Sequence, residues 1–221
     1  MPSRSLVEAY ELMVRRVETT LEETDDAFPY YADPDTGEWT TTTDGNWCGG
    51  HWIHMCWLAY DHTGEARFAE VAREHAQVMH EYMPRDSMFC GLNFHFAGLR
   101  GYDVSGDDRE RDLGIEGADA MAACYHEGAR MIPIGGLLVE VPDDFVEDFR
   151  GEANEITGDR CTSTDNLHTS LPVLWRAFRE TGEPRYRDIA VSHADRHLDW
   201  VVKPDGSTWN VVQFHPEMGA S

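Results

Sequence analysis

"TGEARFAEVAREHA" (residues 63–76) returns as "TGEPRYRDIAVSHA" (181–194), and this recurrence decides the fold. Both copies place a glycine, an aromatic ring and two alanines at four-residue steps: Gly64, Phe68, Ala72 and Ala76, then Gly182, Tyr186, Ala190 and Ala194. Steps of four fall on one stripe of a helix. Small residues on that stripe let the helix lie close against a neighbour. A weaker third copy, "SGDDRERDLGIEGA" (105–118), keeps Gly106, Gly114 and Ala118. Apolar helical runs stand ahead of the two clear copies, "WIHMCWLAY" (52–60) and "LPVLWRAF" (171–178). The glycine opening each copy suits the left-handed residue that closes a helix. The repeating unit is therefore an αα-hairpin: an apolar inner helix, a TGE turn, and an amphipathic outer helix.

Working outward, the spacing predicts helices over 4–23, 48–62, 66–82, 88–102, 108–126, 167–180 and 184–202. Residues 30–47 read as a turn-rich connection and 127–164 as a long irregular insertion. The alternation in "STWNVVQF" (207–214) predicts a short strand. Stacked αα-hairpins build either a solenoid or a closed α/α toroid. No linker or composition break divides the chain, so residues 1–221 are expected to form one domain.

The 221 residues carry 41 Asp and Glu against 18 Lys and Arg, a net charge of −23. Lys203 is the single lysine. So anionic a surface repels nucleic acid and anionic lipid. The acids are spread along the chain, as in proteins that work in concentrated salt, where a Debye length of roughly 3 Å mutes self-repulsion. The N-terminal "MPSRSLVEAYELMVRR" has no apolar signal core and no run is long enough to span a membrane. The expected setting is cytoplasmic. Five scattered cysteines without a CxxC pair read as reduced, mostly buried thiols.

Candidate chemistry gathers at a few places. Asp165 stands just before the helix of 167–180, where an N-cap or an acid would both fit. Asp86, in "MPRDSMFCGLNFHF", stands equally at the mouth of an inner helix. In a toroid such ends converge on one cavity, where paired carboxylates do general acid–base work. "WCGGHWIHMCW" (47–57) offers Cys48, His51, His54 and Cys56, but in no standard zinc spacing. No metal or other cofactor is expected. Its tryptophans, Trp47 and Trp52 among them, suit the apolar C–H faces of a sugar, whereas Trp57 reads as core. "DPDTGEW" (33–39) lacks the late glutamate of a calcium loop and reads as a turn. His75 and His193 hold matching places in the repeat and read as structural.

The sequence resembles glycoside hydrolase family 88, the unsaturated glucuronyl hydrolases. The residues carrying the resemblance are Trp47, Gly50-His51-Trp52, "CWLAYDHTGE", Asp86 with Phe89, "DNLHTSLPVLWRAFRETGEPRYRDIAVSHA" and "DGSTWNVVQFHPEMG". They run in order from about residue 25 to the end, with a poor patch over 127–164. The resemblance implies an all-α, (α/α)6-barrel fold, of which this chain would hold an N-terminal portion of about seven helices, truncated at its C-terminus.

It also implies a chemistry. Such enzymes act on oligosaccharides left by polysaccharide lyases, which end in a uronic acid with a C4=C5 double bond. An aspartic acid protonates C4, water adds at C5, and the resulting hemiketal opens to release the sugar. By motif, Asp165 would be that acid and Asp86 the second acid, with Trp47, Trp52 and Asn210 at the sugar. Counting back from Pro172 without a gap puts the acid position on Asn166. One inserted residue puts it on Asp165, and the sequence leaves both registers open. A tryptophan of the family's pattern is replaced by Ile134, and a histidine by Asn210. The rival readings are an unsaturated rhamnogalacturonyl hydrolase and a non-catalytic carbohydrate-binding or interaction remnant. An open edge of inner helices would favour self-association.

Overall fold

The computed structural model describes residues 5–25, 27–136 and 158–215. Helix α1 spans Leu6–Thr24 and begins with a capping box between Ser5 and Glu8. A hairpin of β1 (Phe28–Ala32) and β2 (Trp39–Thr42) follows. Then come α2 (Gly49–Thr63) and α3 (Ala66–Tyr82). A continuous rod is built from α4 (Met88–Phe94), a π-helical turn (His95–Leu99) and α5 (Arg100–Ser105). It is followed by α6 (Asp108–Ala123). Strand β3 (Cys161–Ser163), α7 (Asn166–Thr181), α8 (Pro184–Trp200) and β4 (Val211–Gln213) complete the order.

The repeat glycines do what the sequence asked of them. Gly64, Gly106 and Gly182 sit at φ of 72°, 65° and 73°, and each ends an inner helix. Their N–H groups donate to the carbonyls of Tyr60, Tyr102 and Phe178, closing the last turn at a conformation that costs glycine nothing. The chain then reverses into α3, α6 and α8. The repeat aromatics Phe68 and Tyr186 are buried, as are Ala72, Ala118 and Ala190.

The hairpins pack side by side. Inner helix α2 lies against the rod, and α4 lies against α7. Outer helices α3 and α8 pack on their own inner partners, while α6 packs on the rod and on α7. Close approach depends on missing side chains: a Cβ on Gly50 would stand 2.4 Å from the Asn93 carbonyl oxygen, and one on Gly91 2.6 Å from that of Thr169. The Asn93 side chain fixes the first contact by accepting from the Gly50 N–H at 2.7 Å and donating to the Asn46 carbonyl at 3.0 Å. These contacts join the starts of α2 and α7 to α4, so the inner helices start at the same end. That is the α/α-toroid arrangement.

The helix expected over 88–102 carries a π-helical turn and runs on to Ser105; the other main differences from expectation lie outside the helices. Residues 30–47, read as a connection, contain most of the β1–β2 hairpin, which starts at Phe28. Asp33 makes its turn by accepting from the N–H groups of Asp35 and Thr36. The expected strand is β4, and it pairs antiparallel with β3, which was hidden in the stretch read as irregular. Most of the rest of that stretch lies outside the described residues.

Candidate active site

The end where the inner helices begin holds Asp86 and Asp165. Asp86 occupies the turn before α4, whose cap is the Ser87 hydroxyl. Residues 132–136 lie across this turn. The Ile134 carbonyl accepts from the Met88 N–H at 2.9 Å, and its N–H donates to the Cys161 carbonyl at 2.8 Å. Gly136 donates to the Asp86 carbonyl at 3.2 Å. Gly135 is left-handed, at φ 74°, and a Cβ there would fall 1.6 Å from the Asp86 carbonyl oxygen. A Cβ on Gly136 would reach the Asp86 carboxylate at 3.5 Å. Glycine at 135 is thus required by the close approach of the Asp86 backbone, while a side chain at 136 would meet the carboxylate only at ordinary contact distance.

Asp165 stands at the start of α7 and does not cap it: its backbone is helical (φ −84°, ψ −7°) and its side chain takes no N–H of the first turn. Its carboxylate is exposed and accepts instead from the Ser163 hydroxyl. The same hydroxyl touches Met88 Sδ at 3.6 Å. Met88, Ile134 and Cys161 form a small apolar cluster with Phe89 and Val211 against it. Through this cluster the Asp86 turn and the Asp165 strand–helix junction are held together.

The two registers differ sharply in the structure. Asn166 is fully buried. Its amide donates to the Ile132 carbonyl at 2.8 Å and the Thr162 hydroxyl at 3.1 Å. Its oxygen accepts from Thr169 at 3.1 Å and Ser170 at 2.6 Å. Every hydrogen-bonding place of that amide is taken. Asp165, one residue earlier, is exposed.

Trp47 precedes α2 and is 42% exposed. Its indole N–H donates to Tyr30 Oη at 3.0 Å, and its ring lies 6.0 Å from that of Phe89. The two rings meet where Phe89 lies in the first turn of α4, three residues after Asp86. Asn210 is exposed, and its carbonyl accepts from the Thr164 N–H at 2.9 Å, next to Asp165. Trp52 departs from its expected place at the sugar. It is 4% exposed, and its indole N–H donates to His75 Nδ1 at 3.1 Å, because that face of α2 turns toward α3.

Side chains of α2, the rod and α7 meet in a cluster that sequence reasoning missed. Phe96 lies between His51 at 4.1 Å, His95 at 5.2 Å, His54 at 5.6 Å and His168 at 6.4 Å. The only sequence signal was a run of histidines and aromatics on different helices, and their meeting depends on tertiary packing. Among the described residues no three His, Cys, Asp or Glu side chains converge as a metal cage requires. Cys56 is buried in the core and does not join His51 and His54. Burial pushes the Cys48 thiol up to about 11 and those of Cys56 and Cys90 to about 12, so these sulfurs stay protonated and inert.

Burial also holds His54 and His95 down to about 4, with Arg100 adding to it, and His193 down to about 3. Each ring is neutral in the folded chain and gains a proton on unfolding below its ordinary value of 6.5. Stability from these rings is whole above pH 6.5 and falls as the pH drops toward 4. Melting at constant ionic strength is expected to show Tm lower by roughly 5 °C or more at pH 4.5 than at pH 7. An unchanged Tm would contradict the buried neutral rings.

The helical hairpins define an α/α-toroid fold, with Asp86 and Asp165 at the end where its inner helices begin. No family model matches the chain. The unsaturated glucuronyl hydrolase of Bacillus sp. (strain GL1) is 25% identical over 198 residues, covering 88% of this chain and 48% of the relative. The unsaturated chondroitin disaccharide hydrolase of Streptococcus pneumoniae (strain ATCC BAA-255 / R6) is 26% identical over 219 residues, covering 96% and 50%. The solved unsaturated glucuronyl hydrolase of Bacillus sp. GL1 superposes with a TM-score of 0.78 at 23% identity, covering 95% of this chain and 52% of that one. The chain is thus similar to unsaturated glucuronyl hydrolases and shares their (α/α)6-barrel fold over the matched part. It spans about half the length of the curated relatives it matches.

Proposed function

We propose that this chain acts on oligosaccharides ending in a 4-deoxy-4,5-unsaturated uronic acid, by hydration of the enol ether. Asp165 gives a proton to C4, water adds at C5, and the hemiketal opens to free the neighbouring sugar. Asp86 is the second acid and holds sugar hydroxyls. The face of Trp47 carries the ring, and Asn210 supplies a polar contact beside Asp165. The observation that carries this reading is the open Asp165 carboxylate, set at the same helix end as Asp86 while Asn166 is buried with its bonds filled. The names of the relatives support the same chemistry.

The test is an ultraviolet assay in molar KCl, following loss of the conjugated double bond in unsaturated glucuronyl, chondroitin and rhamnogalacturonyl disaccharides. Loss with a glucuronyl or chondroitin substrate is expected. Loss with the rhamnogalacturonyl substrate alone would transfer the reading to that class of hydrolase. No loss from a soluble, helical chain would favour a binding remnant.

The setting we infer is the cytoplasm of a salt-adapted cell, on the strength of the 41 acids against 18 bases. We also infer that the edge beside α1 associates with a second copy. Leu6 and Met13 there are 90% and 58% exposed. Met13 also lines an apolar groove with Tyr10, Trp39, Met55 and Leu58. With each copy carrying −23, association is expected to strengthen with salt, as the Debye length falls from ~10 Å at 0.1 M to ~3 Å at 1 M. Sedimentation giving the monomer mass at every salt concentration would refute it.

A further inference from the structure

We infer that Ser163, held by His197, is a positioning residue that aims the Asp165 carboxylate; this rests on Asp165 being the acid of the proposed reaction. Ser163 is 7% exposed, the last residue of β3, and its hydroxyl donates to Asp165 Oδ1. On its other side lies Met88 Sδ, a weak acceptor that cannot compete with a carboxylate. The hydroxyl therefore has one strong partner, and Asp165 has one buried donor that water does not easily replace.

The backbone of Ser163 is fixed from two sides. β3 pairs Ser163 with Val211. From α8, His197 brings Nε2 to 2.9 Å from the Ser163 carbonyl oxygen. A carbonyl only accepts, so the ring carries its proton on Nε2 and donates. His197 is 1% exposed, and burial lowers its pKa, which keeps it in this neutral form. Its Nδ1 meets no partner among the described residues, as suits a lone pair rather than an N–H. A buried outer-helix residue thus holds the strand, the strand holds the hydroxyl, and the hydroxyl fixes one carboxylate oxygen. The second oxygen of Asp165 is left for the ligand.

This orientation matters because Asp165 is otherwise exposed and the start of its own helix, α7, offers it competing N–H groups. Misplacing a reacting group by about 1 Å costs up to roughly a hundredfold in rate. The test compares the wild-type chain with Ser163→Ala and Ser163→Thr. Three-bond NMR couplings at Asp165 report its χ1 angle. One rotamer is expected in the wild type and in Ser163→Thr, and averaging in Ser163→Ala. With an unsaturated glucuronyl disaccharide, Ser163→Ala is expected to lower kcat by roughly ten- to a hundredfold, with KM within about twofold and Ser163→Thr recovering most of the loss.

Identical couplings in Ser163→Ala would overturn the inference, as would an unchanged kcat. If the wild type turns over no substrate, the hydrolase reading falls, and the couplings alone decide whether Ser163 aims Asp165.

Discussion

Asp165→Asn is expected to abolish turnover of an unsaturated glucuronyl disaccharide, by about a thousandfold or more, while the chain stays folded. The amide is nearly the size of the carboxylate and still accepts from Ser163, but it has no proton to give to C4. Because Asp165 is exposed and caps nothing, its replacement removes little from the fold. Asn166→Ala should do the opposite. It leaves the Ile132 carbonyl and the hydroxyls of Thr162 and Ser170 without this partner in a fully buried place. Each buried polar group left unpaired costs about 1–3 kcal/mol. The pair of variants separates the registers: activity lost with Tm kept at 165, Tm lost at 166. Activity surviving in Asp165→Asn would remove Asp165 from the chemistry.

Gly135→Ala carries the second large effect. The residue is left-handed, and a Cβ would fall 1.6 Å from the Asp86 carbonyl oxygen, inside any allowed contact. Backbone must move on one side or the other. The Asp86 turn is the nearer, and it is tied to this loop through the Gly136 N–H as well as through Met88 and Ile134. Backbone strain of this kind, with the displaced packing added, is worth about 3 kcal/mol or more. Thermal melting should show a large fall in Tm, and the residual folded chain should lose activity through misplacement of Asp86. A Gly135→Ala chain with wild-type Tm would mean that the 132–136 segment does not lie across α4 as described.

What the sequence made legible was the periodic part. Glycine, ring and alanine at steps of four pack as a helix on a helix, so Gly64 and Gly182 mark their hairpin turns in the sequence, and Gly106 marks a third in the weaker copy. The β1–β2 hairpin was legible but passed over: Tyr30, Tyr31 and Trp39–Thr42 are good strand formers around an Asp33 turn. The choice between Asp165 and Asn166 was not legible. Both are short polar residues at a helix start, and which of them turns inward is set by Ile132 and Thr162, which the chain reaches only through tertiary packing. Trp52 misled for a related reason. Its neighbour Trp47 lies before the helix and stays open, but Trp52 falls on the stripe facing α3, where His75 of the repeat takes its N–H. The histidines around Phe96 come from helices far apart in sequence, and no local pattern joins them.

The most direct test of the account is turnover in D2O with the released uronate read by NMR. If Asp165 protonates C4 and water adds at C5, the product carries deuterium at C4 and has lost the C4=C5 double bond. That label should vanish with turnover in Asp165→Asn. A released uronate that keeps its double bond, with no deuterium at C4, would mean ordinary glycosidic displacement and would contradict the mechanism at its central step.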